Sequence, residues 1–316
     1  MLRRTAAATP VVSRQASGPF DTKLDRYPFS AIVDRPTYEW PNGTRLAVYF
    51  ALNIEAFEFG LNPGNDFTSG PSAPFHRGYA YRDYGNRVGV WRIKRAFDEA
   101  NIPLAILANG SVYDVSPRVL AAFRARGDEF VGHGRTNSER QINMTEDEER
   151  SMIAEIADKM TAAEGRRPEG WLGPFISQSP RTPEILKTAG FQYMLDWWFD
   201  DQPVWFRTDA GPILAVPYPS MELNDIPAYI NRGASDEEFH RMMLDAFDEQ
   251  LEESALYPQV YCVALHTFLT GQPHRIRLLR KVLMHIAAQR DKVWLTTPGR
   301  IADHIRTLPA NVVPTV

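Results

Sequence analysis

Short apolar runs alternate along the chain with longer segments in which apolar positions recur every three or four residues. The runs at 45–52, 104–108, 129–132, 170–172, 193–195, 213–218, 260–265 and 293–295 read as buried strands, most of them closed by Gly, Pro, Asn or Asp. Between the first two, 84–100 carries Val88, Trp91, Ile93 and Phe97 among charges, which is helical spacing. Ser116 before Pro117 predicts a helix start, and that helix runs to about Arg126. Thr145 to Glu148 reads as a capping box opening a helix to about Glu164, and the segment from Ser235 to Glu238 caps another that ends near Glu253. Further helices are predicted at 182–190, 273–289 and 299–306. About eight strands alternating with helices predict the α/β class. At this length they predict an irregular (β/α) barrel of seven or eight parallel strands in a single domain.

The segments outside this alternation divide the chain. Residues 1–20 hold Arg3, Arg4 and Arg14 among small residues and read as a disordered leader. Residues 21–44, rich in proline and aromatics, read as an extended arm across the outside of a catalytic barrel at 45–310. Residues 61–81 lack periodicity and are expected to form a long loop, a length at which loops tend to be lids.

Composition narrows the function. The 316 residues are 44% hydrophobic and 23% charged, which is ordinary globular usage. A net charge of -4 provides no basic field for nucleic acid or an anionic membrane, so the expected partner is a small molecule, with a homo-oligomer left open. No run approaches the roughly 18 to 20 apolar residues of a membrane-spanning helix. The single cysteine, Cys262, excludes an internal disulfide framework and suggests a reducing compartment or indifference to redox, and a cytoplasmic setting is expected.

In a (β/α) barrel the catalytic side chains stand at the C-terminal ends of the strands. Here those ends are followed by Asn53 and Glu55, Asn109, His133 and Asn137, Gly173 and Pro174, Asp196, Pro219 with Glu222, and His266. Such a set suits hydrolysis. Glu55 can serve as a base for water or as a metal ligand, and His133 and Asn137 can hold a metal or polarise a carbonyl. His266 can protonate a leaving nitrogen. Trp197 and Trp198 are candidates for the wall of a ring-binding pocket, and Arg87 for a clamp on a carbonyl or carboxylate.

Gly132–His133 with Asn137, the segment 170–174, the strand end at Asp196, and Leu265–His266 followed by 271–275 together resemble the polysaccharide deacetylase superfamily. Residues 53–55, 84–89 and 271–275 are more closely similar to its allantoinase-like and cyclic-imide-hydrolase-like branch, and the resemblance spans roughly 45–305. It implies a deacetylase-like barrel in which an aspartate is the base, an Asp-His-His triad holds a divalent metal such as zinc, and a late-strand histidine is the acid. By position, Asn53 stands for the base, Glu55, His133 and Asn137 for the metal ligands, and His266 for the acid. Asn53 cannot take a proton, and Asn137 is a poor ligand for zinc. A metal site of Glu55, His133 and Asn137 and a metal-independent site both stay open. The expected substrate contacts are Arg87, Gly173, Pro174, Asp196, Trp197 and Trp198. The expected activity is hydrolysis of a carbon–nitrogen bond, other than a peptide bond, in a small cyclic amide of allantoin or imide type. The alternatives are an N-deacetylase of amino-sugar polymers or peptidoglycan, and a non-catalytic ligand-binding protein on a decayed deacetylase fold.

Overall fold

A nine-residue strand, β1 (Leu46–Ile54), buried along its whole length, forms the spine of the sheet. The structure is a computed structural model, described for residues 25–60 and 76–315. In it β1 is flanked by β8 (Gln259–His266) on one side, and on the other by β2 (Ala105–Ala108) and β9 (Val293–Leu295). Beyond β2 lie β3 (Glu129–Gly132), β4 (Gly170–Trp171), β5 (Tyr193–Met194), β7 (Ile213–Ala215) and β6 (Val204–Phe206), in that order. Every pairing is parallel except β6 with β7. The sheet curls into an irregular barrel that no ladder closes among the described residues: the chain after β7 pairs with β8 at an isolated bridge between Asn224 and Ala264. Eight parallel strands match the expected architecture. The antiparallel β6 is additional, since three residues are too few to display an alternation.

The pleat separates two layers, because successive strand side chains point to opposite faces. Leu46, Val48, Phe50 and Leu52 of β1 pack outward against Val90, Ile93 and Phe97 of α2 (Val90–Ala100) and against α8 (Pro273–Ala287). Ala47, Tyr49 and Ala51 point inward with Val131, Leu214, Val216, Cys262 and Ala264. Each large side chain so buried contributes about 1.5–3 kcal/mol.

Thr145 and Ser235 both form reciprocal capping boxes, with Glu148 and Glu238, at the starts of α5 (Glu146–Glu164) and α7 (Asp236–Glu253). Ser116 makes no side-chain cap, because a short helix, Val112–Val115, runs directly into it. The expected loop over 61–81 is corrected in part: His76–Tyr84 is helical, while 61–75, like the leader at 1–20, lies outside the described residues. The helix expected over 84–100 is interrupted by a π-helical turn, Gly85–Gly89. A Cβ on Gly85 or Gly89 would overlap Thr267, so these two glycines let the turn press against the loop that follows β8. The arm lies on its own barrel. Trp40 is buried and donates to the Gln259 carbonyl at 3.1 Å, Arg35 pairs with Asp200 at 2.6 Å, and Tyr27 stacks on Phe199 at 3.9 Å. No described helix is long and apolar enough to cross a membrane.

Candidate active site

The inward parity of the strands carries the site. Asn53 continues the series Ala47, Tyr49, Ala51 of β1, and Glu55 is the next inward position. His266 continues Cys262 and Ala264 of β8 and stands opposite Asn53 in register. His133 continues Val131, and Tyr218 continues Leu214 and Val216. These residues, with Asn137, line one cavity of about 530 Å³. At this end the sheet is pinned by two asparagines. Asn109 accepts from Ala56 N at 2.9 Å and donates to the His133 carbonyl. Asn86 donates to the Glu55 carbonyl at 2.7 Å and accepts from Thr267 Oγ1 at 3.2 Å.

Glu55 is the hub. Its Oε1 accepts from Asn137 Nδ2 at 2.7 Å and lies 3.5 Å from His133 Nε2 and 3.6 Å from His266 Nε2. Burial pushes its carboxyl up, but His266, His133 and the Arg82 guanidinium together outweigh burial and hold it below the ordinary carboxylate value. His133 Nδ1 donates to the Leu172 carbonyl at 2.8 Å, which turns Nε2 toward Glu55. His266 is held by a residue that the sequence had not singled out, the fully buried Asp225. This carboxylate takes His266 Nδ1 at 2.6 Å, His266 N at 2.8 Å and Thr270 Oγ1 at 2.6 Å. Burial would lower the His266 imidazole, but the Asp225 and Glu55 carboxylates prevail and raise it above the ordinary histidine value. A carboxylate that favours its charged form therefore faces an imidazole that favours its own.

The donor set does not fit a zinc ion. Among the described residues no three His, Cys, Asp or Glu side chains gather closely enough to hold a metal. The group that completes the set, Asn137, turns an N–H toward the carboxylate where a cation would stand. Turning the amide over would set its carbonyl oxygen against Glu55.

The remaining expected residues fall into two groups. Gly173, Pro174 and Asp196 shape the rim. Asp196 Oδ1 accepts from Gly173 N at 2.7 Å, and Pro174 packs on Gly134, whose φ of 67° and lack of a Cβ allow the approach. The turn they hold puts Phe175 and Ile176 at φ of 60° and 54°, a strained pair that lines the cavity. Gly173, Pro174, Asp196, Trp197, Trp198 and Arg87 do not themselves line the cavity, and their expected role as direct contacts is corrected. Trp197 packs edge-on against Tyr27 and donates to Gln178, and Trp198 is surface-exposed. Arg87 points outward, 74% exposed, and pairs with Asp83 one helical turn away. Arg140 lines the cavity instead, with its guanidinium 4.4 Å from the Phe175 ring centre.

Asp196 also has a measurable signature. Burial, opposed by hydrogen bonds from Gly173 and Gln178, pushes its carboxyl from 3.8 up to about 7, and Oδ2 has no partner among the described residues. The folded state thus binds more protons than the unfolded state between these values, so stability falls as pH rises through that window and the penalty is complete above it. Asp196→Asn keeps the acceptor for Gly173 and cannot ionise. It is expected to be more stable than wild type at about pH 8, by on the order of 2 kcal/mol, and equal to it near pH 4. Urea unfolding at both pH values checks this, and an asparagine variant that is no more stable at the higher pH contradicts it.

Fold and site together describe an α/β barrel with a buried carboxylate–imidazole pair at the ends of its strands. No family profile matches the sequence. A Schizosaccharomyces pombe protein provisionally named a polysaccharide deacetylase is 28% identical over 301 residues, 84% of this chain and 92% of that protein. The crystal structure of PuuE allantoinase superposes with a TM-score of 0.73 at 29% identity, covering 84% of this chain and 91% of that one. A Pseudomonas aeruginosa PAO1 structure, also provisionally named a polysaccharide deacetylase, gives 0.75 at 29% identity, over 85% and 94% of the two chains. The chain is thus similar, over more than four fifths of its length, to proteins named as polysaccharide deacetylases and to an allantoinase. Removal of an acetyl group from an amide and opening of the allantoin ring both hydrolyse a carbon–nitrogen bond, so this kinship is with hydrolases of that bond.

Proposed function

We propose that the protein hydrolyses a carbon–nitrogen bond in a small cyclic amide of imide, hydantoin or ureide type. The observation that carries this reading is the environment of Glu55 Oε1, which accepts the Asn137 amide N–H and lies within 3.6 Å of two imidazole nitrogens, one of them on His266. In this reading Glu55 takes a proton from water as the water oxygen attacks the carbonyl carbon. The carbon–nitrogen bond then breaks while His266 Nε2 delivers its proton to the departing nitrogen. Return of the proton from Glu55 to His266, its neighbour at 3.6 Å, restores the starting pair.

Two features support a small substrate rich in N–H groups. Three buried polar atoms have no hydrogen-bond partner among the described residues, Glu55 Oε2, His133 Nε2 and Asn137 Oδ1, and a ureide or imide brings N–H donors to the two oxygens. A nitrogen between two carbonyls is also a better leaving group than that of a simple amide, which suits a site whose base position holds Asn53. N-deacetylation of an amino-sugar polymer is the second reading. It is favoured by the names of two of the three relatives above, and it would use the same base and acid.

The deciding assay presents hydantoins, cyclic imides and allantoin alongside chitin oligomers and peptidoglycan fragments, with and without a chelator. Ring opening that the chelator does not touch is the expected result. Acetate release without ring opening selects the second reading, and activity lost on chelation and restored by zinc overturns Glu55 as the base. No turnover of any substrate would favour a binding protein on a decayed fold.

A further inference from the structure

The hydrolysis proposed above builds negative charge on the carbonyl oxygen, and the assignment of a donor for that charge rests on the same reading. The inventory of N–H and O–H groups narrows the choice. Both N–H groups of Asn53 are engaged, with Tyr218 Oη at 3.1 Å and the Leu265 carbonyl at 3.2 Å, so Asn53 cannot serve as the oxyanion donor. His133 Nδ1 and His266 Nδ1 are committed to the Leu172 carbonyl and to Asp225. One Asn137 N–H is held on the base itself. Arg140 sits exposed at the rim.

Tyr218 differs from all of these. It lines the cavity, is 1% exposed, and its oxygen accepts from Asn53, while no acceptor among the described residues takes its hydroxyl hydrogen. Leaving a buried donor unmatched costs about 1–3 kcal/mol, so an O–H in this position calls for a partner that arrives with the substrate. Accepting the Asn53 N–H also polarises the hydroxyl and strengthens it as a donor. We propose that Tyr218 is a catalytic residue whose phenol donates a hydrogen bond to the carbonyl oxygen of the scissile amide and holds the oxyanion as water adds. No proton is transferred: the O–H bond stays intact, and Asn53 acts as a positioning residue that fixes the phenol. Burial raises the phenol well above its ordinary value, which keeps it a neutral donor across the working range.

Tyr218→Phe removes one oxygen and keeps the ring. The expected result is a fall of about 100-fold in kcat with KM within threefold, since the bond strengthens only as charge develops. Because phenylalanine also deprives Asn53 of its acceptor, a second series keeps that acceptor: fluorinated tyrosines at position 218, whose hydroxyls are more acidic. An oxyanion donor makes kcat rise with phenol acidity at fixed pH. A merely structural hydroxyl gives one kcat across the series, and that result overturns the proposal, as does a Tyr218→Phe enzyme within threefold of wild type. Thermal melting of each variant establishes that it is folded. If the wild type turns over a carbon–nitrogen substrate and these variants behave like it, Tyr218 alone loses its role. A wild type that hydrolyses none of them removes the proposed function and this inference with it.

Discussion

Glu55→Gln is expected to lower kcat/KM by about a thousandfold, the middle of the range that general-base catalysis supplies. The substitution preserves shape and leaves an oxygen available to Asn137, so folding should survive. What it removes is the ability to take a proton from water. The pH profile provides an independent check. Ionised Glu55 is needed, and its carboxyl is held below its ordinary value of 4.5, so activity should persist below that point before the acidic limb appears. Protonated His266 is needed, and its imidazole is raised above 6.5, so the alkaline limb should lie above that point. Between them kcat/KM should be flat, wider on both sides than an unpaired Glu and His would give. In Glu55→Gln, His266 loses one of the two carboxylates that raise it, so the residual activity should lose its alkaline limb at lower pH than wild type. A variant with wild-type kcat/KM would remove Glu55 from the chemistry. An alkaline limb in the variant that had not moved would break the coupling between Glu55 and His266.

Much of this arrangement is legible in the residues themselves. The alternation of apolar runs and amphipathic segments is strong because a parallel sheet is buried on both faces. Glu55, His133, Asn137 and His266 stand just past the ends of apolar runs, and a barrel gathers such positions at one end. The turn 84–89 also stands out, but its working part is not Arg87. Gly85 and Gly89 close onto Thr267, and Asn86 ties the ends of β1 and β8 together, contacts that depend on a fold not yet formed. Asp225 escapes the same search because it belongs to no strand: it lies ten residues beyond the end of β7 and reaches His266 across 41 positions of sequence. Trp197 and Trp198 mislead for the complementary reason. A strand end places the backbone near the mouth, and the packing of Tyr27 and Phe206 on Trp197 then decides where its side chain lies. Tyr218 is within reach of sequence reasoning, since it stands two and four residues beyond the inward positions Val216 and Leu214.

His266→Asn should separate acid catalysis from the support of Asp225. An asparagine amide can place Nδ2 near the position of the imidazole Nδ1, so the buried Asp225 keeps a donor there, while Thr270 Oγ1 and the backbone N of residue 266 still serve its other oxygen. This matters because a buried carboxylate stripped of its partner costs about 3–5 kcal/mol, and a truncation to alanine would confuse misfolding with lost chemistry. The asparagine variant has nothing in place of Nε2–H, so the departing nitrogen must leave without its proton. The expected fall in kcat/KM is about a thousandfold for a simple amide, shrinking toward tenfold as the leaving nitrogen becomes more acidic, because a better leaving group needs the acid less. Measured over a series of imides and hydantoins of graded acidity, the logarithm of the rate should therefore depend more steeply on leaving-group acidity in the variant than in wild type. Equal slopes would mean that His266 does not protonate the nitrogen. Its contact with Glu55 would then be left as its sole contribution, one that holds the base in its charged form.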